Sequence, residues 1–193
     1  SNGIKVYWYI SPKVWAWNQS RAWKLKSNVD RMFVILPFEK DFFKKFDWKV
    51  EYVGNPVLDA IKAHKPSPDF REKNDLVATS RVVALLPGSR QQELKKIIPL
   101  MTGVAAKMPD VQFVVAAVGN LEQELYDDLK SLDNVKFVHD AAYDLLTIAD
   151  AAIVTSGTAT LETALFRVPQ VVVYKTSALT YWIAKLIIKV PFI

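Results

Sequence analysis

The sequence predicts an α/β fold in which parallel sheets carry helices on both faces. Two observations carry that expectation. From Arg81 onward, short apolar runs alternate with longer helix-like stretches. The runs at 82–86 and 112–118 also lack polar alternation, as strands buried on both faces do. About half of the 193 residues are hydrophobic (51%), which is enough for a substantial core. Crossovers between such strands are expected to be right-handed.

In the first part of the chain, residues 4–10 read as a strand by their β-branched and aromatic content. Ser11-Pro12 opens a helix expected to reach about residue 26, with proline well placed at its start. Trp15 and Trp23 can share a face of it, whereas Trp17 points elsewhere. Indoles at this spacing read more simply as core than as a binding platform. Residues 31–36 form a second strand, which Pro37 ends. A helix over 38–46 carries Phe38, Phe42 and Phe46 at i, i+4 and i+8, a stripe that reads as core. Residues 49–53 form a third strand, and Gly54-Asn-Pro56 leads into a helix from Val57. His64-Lys-Pro-Ser-Pro-Asp69 breaks regular structure, so His64 is expected to be a solvated loop residue. The organisation expected is a first segment at 4–57, a linker at 58–80 and a second segment at 81–193.

The second segment is the more regular. Pro87-Gly-Ser89 turns the strand at 82–86 into a helix over 90–108, where Ser89 and Gln92 have capping-box spacing and Pro99 should introduce a kink. After the strand at 112–118, Gly119 turns the chain and Asn120 caps a helix to about 132. A strand follows at 135–138, and Asp140 caps a helix to 149. The strand at 152–155 leads into a turn at Gly157, a helix capped by Thr158, a strand over 170–174 and an apolar helix from 177.

Composition removes several function classes. With no cysteine there is neither a disulfide nor a thiolate metal site, and this fits a reducing compartment. Two histidines, His64 and His139, give little basis for a His metal site or a triad. The absence of Gly-x-Gly-x-x-Gly and of the Walker lysine motif argues against a dinucleotide dehydrogenase and a P-loop ATPase. No Gly-x-Ser-x-Gly elbow is present, and no carboxylate pair stands out for glycoside hydrolysis. The net charge of +5 includes a cluster of Lys13, Arg21, Lys24, Lys26 and Arg31. Such a cluster suits an anionic partner (nucleotide, phospholipid surface or nucleic acid), although a solvated helix face accounts for any single lysine. The most apolar stretch, 178–190, is too short for a spanning helix and carries Lys185 and Lys189. The abrupt start and the apolar ending Val190-Pro-Phe-Ile193 lead us to expect a segment of a longer protein.

On a parallel sheet, ligands sit outside the carboxyl ends of the strands. That rule selects the turns Gly88-Ser89-Arg90, Gly119-Asn120, His139-Asp140, Ser156-Gly157-Thr158 and Lys175-Thr176, whose residues suit a phosphate-bearing ligand. In Leu86-Pro-Gly-Ser-Arg90, the arginine offers a planar fork for phosphate oxygens. The alternative is a surface ion pair from Arg90 to Glu93 or Asp140. In Thr155-Ser-Gly-Thr-Ala-Thr-Leu-Glu162, the first helical turn presents free N–H groups to an anion, and Glu162 can accept hydrogen bonds from a sugar diol. The alternative is an ordinary strand–helix connection with a carboxylate favoured by the helix dipole.

Five blocks together carry a resemblance: Ile10-Ser-Pro-Lys-Val-Trp-Ala-Trp17, Leu36-Pro-Phe-Glu39, Val53-Gly-Asn-Pro56, Leu85-Leu-Pro-Gly-Ser-Arg90 and Thr155-Ser-Gly-Thr-Ala-Thr-Leu-Glu162. In order and spacing the chain resembles the lipid-A-disaccharide synthases, glycosyltransferases of the GT-B fold. The Gly-Asn-Pro and Gly-Thr-x-Thr-x-Glu blocks also resemble other UDP-sugar enzymes, the peptidoglycan GlcNAc transferase and the UDP-GlcNAc epimerase. The resemblance implies Rossmann-like parallel sheets, with the end of the amino-terminal acceptor domain followed by an incomplete nucleotide-sugar domain. It implies an inverting transfer from UDP-2,3-diacylglucosamine to 2,3-diacylglucosamine 1-phosphate, with no metal and no cofactor. The setting implied is the cytoplasmic face of the inner membrane of a Gram-negative bacterium, with no nucleic acid involved. Carried over by position, Gly88, Ser89, Arg90, Ser156, Gly157 and Thr158 would meet the UDP diphosphate and Glu162 the ribose. Lys13, Trp15, Trp17, Arg21 and Lys24 would face the acceptor or the membrane. No catalytic residue is assigned: the general base is expected in the family's amino-terminal half, so this segment is expected to bind UDP weakly or not at all and to be inactive. The rival readings are another UDP-GlcNAc-type enzyme, and a non-enzymatic basic module for membrane or nucleic acid.

Overall fold

The computed structural model describes residues 3–119 and 123–175. They fall into two compact units that divide between Lys62 and Ala63.

The first unit is built on a three-stranded parallel sheet, β1 (Tyr7–Tyr9), β2 (Arg31–Val34) and β3 (Glu51–Tyr52), in that spatial order. Its helices are α1 (Val14–Trp17), α2 (Arg21–Lys26), α3 (Phe38–Lys44) and α4 (Pro56–Ala63), the last reaching the unit boundary. The core gathers Val14, Ala22, Leu25, Met32, Val34, Phe42, Phe43 and Trp48. The single helix expected from Pro12 to residue 26 is two. Asn18 leaves helical geometry (φ −135°, ψ 71°) and its side chain accepts a 2.9 Å hydrogen bond from the Ser20 hydroxyl. Asn and Ser are weak helix formers in any case, and the chain leaves the helix there. Trp15 and Trp23 therefore do not share one helix. Trp15 meets the edge of Phe38 at 5.0 Å, and Trp23 meets Phe46 at 5.4 Å while staying 55% exposed. Of the phenylalanine stripe, Phe42 is buried and Phe38 is exposed. The Leu36-Pro-Phe-Glu39 block has a local explanation: the Leu36 N–H donates to the buried Glu39 carboxylate at 3.0 Å, tying the start of α3. Asn55 acts similarly for α4, accepting the Val57 N–H at 3.1 Å.

The second unit is a five-stranded parallel sheet in the order β6-β5-β4-β7-β8. The strands are β4 (Val82–Leu86), β5 (Gln112–Ala117), β6 (Val135–His139), β7 (Ala151–Thr155) and β8 (Gln170–Val173). The class and the parallel sheets stand as the sequence predicts. Strands β4 and β5 are buried almost throughout, whereas edge strand β8 leaves Val171 and Val172 exposed. Helices α6 (Gln91–Ala105), α7 (Asp127–Lys130), α8 (Ala142–Ile148) and α9 (Thr158–Leu165) cross over between them. Two apolar clusters form the core. One gathers Leu85, Leu94, Ile97, Met101, Phe113 and Leu129; the other gathers Val82, Ala84, Val114, Leu145, Leu146 and Val154.

Residues 63–80 belong with this second unit. They include the short α5 (Phe70–Lys73), and Phe70 and Leu76 enter the core beside Leu145 and Val168. The prolines around Ser67 hid two apolar anchors spaced too far apart to show a period. His64 is not a solvated loop residue. Its ring is half-buried, 5.6 Å from Tyr143 and 6.4 Å from Phe166, with Nε2 3.3 Å from Asp144 Oδ1.

Helix α6 continues past Pro99, whose lost N–H lies on the exposed side. The cap expected at Asn120 and the helix expected from 177 lie outside the described residues. Asp140 is not the cap of α8: it takes φ 50°, and Ala141 precedes the helix without a side-chain cap bond.

Candidate functional site

The strand order places a topological switch between β4 and β7. From β4 the chain steps to β5 and β6 on one side, then returns to the other side of β4 as β7 and β8. Loops leaving the carboxyl ends of such adjacent strands part in opposite directions and open a crevice, the general ligand site of open α/β sheets. Register pairs Leu85 with Ile153 and Leu86 with Val154. The next residues are Pro87-Gly88-Ser89-Arg90 on one strand and Thr155-Ser156-Gly157-Thr158 on the other. The two turns singled out by their composition therefore lie side by side.

Their closeness is visible at Gly88. It has φ 101°, a conformation that favours glycine. A Cβ built there would lie 3.7 Å from Thr155 Cγ2 and 3.0 Å from Glu93 Oε2. The Gly88 backbone thus lies close against the Thr155 and Glu93 side chains, at the carboxyl end of β4. Thr155 is 4% exposed and its Oγ1 has no hydrogen-bond partner. Sequence reasoning passed over Thr155, although a polar residue closing the run Ala-Ala-Ile-Val was a signal.

Arg90 is the residue just before α6, with extended backbone (φ −115°, ψ 131°). Its carbonyl accepts the N–H groups of Glu93 and Leu94 at 2.9 and 3.0 Å. The cap is therefore Arg90 and not Ser89, and the expected Ser89–Gln92 box does not form, because the chain stays extended one residue longer. The guanidinium is 80% exposed and donates from Nη1 to Glu93 Oε1 at 2.9 Å. An exposed pair of this kind is worth at most about 1 kcal/mol, so an incoming phosphate can exchange with it. Ser89 is exposed beside it.

Helix α9 begins at Thr158, which is its first helical residue and not its cap. Gly157 precedes it with φ 163°, extended backbone open to any residue, so the chain bends at Ser156 and Gly157 as expected but without a conformation that requires glycine. The Ser156 N–H bonds to the Val173 carbonyl at 3.0 Å, and the Thr160 hydroxyl turns back to the Gly157 carbonyl at 2.7 Å. Gly157 and Thr158 are exposed. The Thr158 and Ala159 N–H groups precede the helix's first backbone bond, from the Thr160 N–H to the Gly157 carbonyl at 3.3 Å, which leaves positive partial charge at the crevice. Glu162 lies a little over one turn along α9, partly buried, with Oε1 accepting the Tyr143 hydroxyl at 3.0 Å.

The basic and aromatic group of the first unit is more dispersed. Lys13 precedes α1, Trp17 ends it, and Arg21 and Lys24 are exposed on α2. Trp15 is half-buried with its Nε1 unpartnered. Lys26, from the same charge cluster, is held by the Phe46 and Asp47 carbonyls. Among the described residues no helix is long and apolar enough to cross a membrane.

The parallel sheets and the switch-point crevice define a Rossmann-like α/β protein of GT-B type. A solved UDP-GlcNAc 2-epimerase from Neisseria meningitidis, bound to UDP-GlcNAc, is similar in fold: TM-score 0.62 at 18% identity over 95% of this chain and 56% of that one. The family is narrower than the fold. The chain belongs to the lipid-A-disaccharide synthetase family, whose sequence pattern matches residues 1–193. It is 40% identical to the lipid-A-disaccharide synthase of Syntrophus aciditrophicus (strain SB) over 100% of this chain and 52% of that protein. It is 39% identical to that of Myxococcus xanthus (strain DK1622) over 99% of this chain and 51% of that protein. The chain thus spans about half the length of the curated relatives it matches.

Proposed function

We propose that the whole protein is a lipid-A-disaccharide synthase, and that the second unit holds the UDP of its donor. The observation that carries this reading is the pairing of the Gly88–Arg90 and Ser156–Thr158 turns across β4 and β7 in a chain of this family. In this reading the guanidinium of Arg90 and the N–H groups at the start of α9 neutralise the diphosphate. Glu162 accepts the ribose hydroxyls. The first unit is the end of the acceptor domain, and Lys13, Trp15, Trp17, Arg21 and Lys24 lie toward the acylated acceptor at the cytoplasmic membrane surface.

The reaction is an inverting displacement. The 6-hydroxyl oxygen of 2,3-diacylglucosamine 1-phosphate attacks the anomeric carbon of UDP-2,3-diacylglucosamine. The new β-1,6 bond forms as the bond from that carbon to the UDP oxygen breaks. The hydroxyl proton passes to a general base in the part of the relatives' length that this chain does not span. UDP leaves with its developing charge stabilised by fixed donors, which act without reorganising. The test is product analysis with the whole protein as its gene encodes it. Disaccharide 1-phosphate and UDP are expected from the diacylated pair. Turnover of unacylated UDP-GlcNAc in their place would overturn the assignment in favour of an epimerase or GlcNAc transferase.

A further inference from the structure

Glu162 is tied to a neighbouring helix. The Tyr143 hydroxyl, on α8, donates to its Oε1 at 3.0 Å. Tyr143 is itself held in place. Its ring lies 5.6 Å from His64, edge to face, and 5.3 Å from Phe166. His64 Nε2 is 3.3 Å from Asp144 Oδ1, and the same oxygen accepts the Ser67 N–H at 2.8 Å. A connected set of groups therefore runs from residues 64–67 through α8 to the carboxylate on α9. Burial, and then the hydrogen bond and charge of Glu162, push the Tyr143 phenol above its ordinary pKa, so it stays a donor. A carboxylate has about four acceptor sites. One bond from Tyr143 leaves room for a vicinal diol.

Resting on the ribose reading of Glu162 given above, we propose that Tyr143 is a positioning residue for ribose recognition. Its hydroxyl fixes the Glu162 carboxylate in the orientation that accepts the 2′- and 3′-hydroxyls of a uridine nucleotide. Without that bond the carboxylate samples other rotamers, and each productive contact must first freeze it. The effect falls on the ribose and leaves the diphosphate contacts intact, which separates it from a general loss of structure.

The experiment titrates UDP and 2′-deoxy-UDP into the whole protein and into Tyr143→Phe and Glu162→Ala. Phenylalanine keeps the ring between His64 and Phe166 and removes only the donor. Wild type is expected to prefer UDP by about tenfold, the worth of one well-placed hydrogen bond. Glu162→Ala should abolish the preference. Tyr143→Phe should cut it by about threefold or more, with 2′-deoxy-UDP affinity held within about twofold. If Tyr143→Phe keeps the wild-type ratio while Glu162→Ala loses it, the positioning role is overturned and the ribose reading stands. A parallel loss of both affinities in Tyr143→Phe, with the ratio unchanged, also overturns it, since that marks a structural role. If Glu162→Ala keeps the wild-type ratio, the ribose reading fails and the inference fails with it.

Discussion

At the scale of single residues, what a charged group can bind depends on whether it is held or exchangeable. Arg31 is held: its guanidinium bonds Glu51 across β2 and β3, and that pairing raises its pKa. Arg90 is exchangeable, exposed and, among the described residues, paired with Glu93 three positions on. Asp30 is held in a different way. The Val6 N–H donates to its carboxylate at 2.7 Å, and Lys5 lies 3.5 Å away; the first of these contributes most to holding its pKa below the ordinary carboxylate range. A carboxyl with a lowered folded pKa contributes stability above its unfolded pKa and loses it as pH falls through the folded value. Thermal unfolding of Asp30→Asn should therefore lie below wild type at pH 7, with the gap closing as pH falls below the ordinary carboxylate range. A gap that persists unchanged at low pH would show that charge on Asp30 is irrelevant.

At the scale of elements, the glycine turn after β4 is the part most exposed to a single change. Gly88→Ala places a methyl in the left-handed region and against Glu93 Oε2. The expected cost is about 1–2 kcal/mol, read as a lowered Tm, because the strained backbone adds to a contact that a side chain must give up. The order of strands and helices was legible from apolar runs and turn residues, and so were Gly88 and Arg90 in a turn at the carboxyl edge of the sheet, with Glu162 on the helix that follows another such turn. Helix starts were not. Ser89 and Thr158 each looked like a cap, yet the helices begin at Gln91 and Thr158 itself, because backbone extension at Arg90 and Gly157 sets the start. The break at Asn18 was equally hidden, since no proline or glycine marks it in the sequence. Tyr143 carried no pattern that could link it to Glu162, nineteen residues away in sequence.

At the scale of the whole molecule, each unit has its own core, and residues 63–80 serve the second. Phe70 is 5% exposed and packs among Leu145, Leu146 and Val168. Phe70→Ala should destabilise the second unit by about 3–5 kcal/mol, leaving a cavity the strands cannot fill. Hydrogen exchange should report faster opening of β4 and β7 with β2 unchanged. Equal opening in both units would mean that they do not unfold separately.

The central claim is that the turns after β4 and β7 hold a diphosphate, with Arg90 as its cation. Calorimetric titration of UDP into the whole protein and its Arg90→Ala variant tests it most directly. Loss of a charge-assisted hydrogen bond predicts affinity lower by about tenfold or more, with uridine binding unchanged. Equal UDP affinity in the two proteins would contradict the claim.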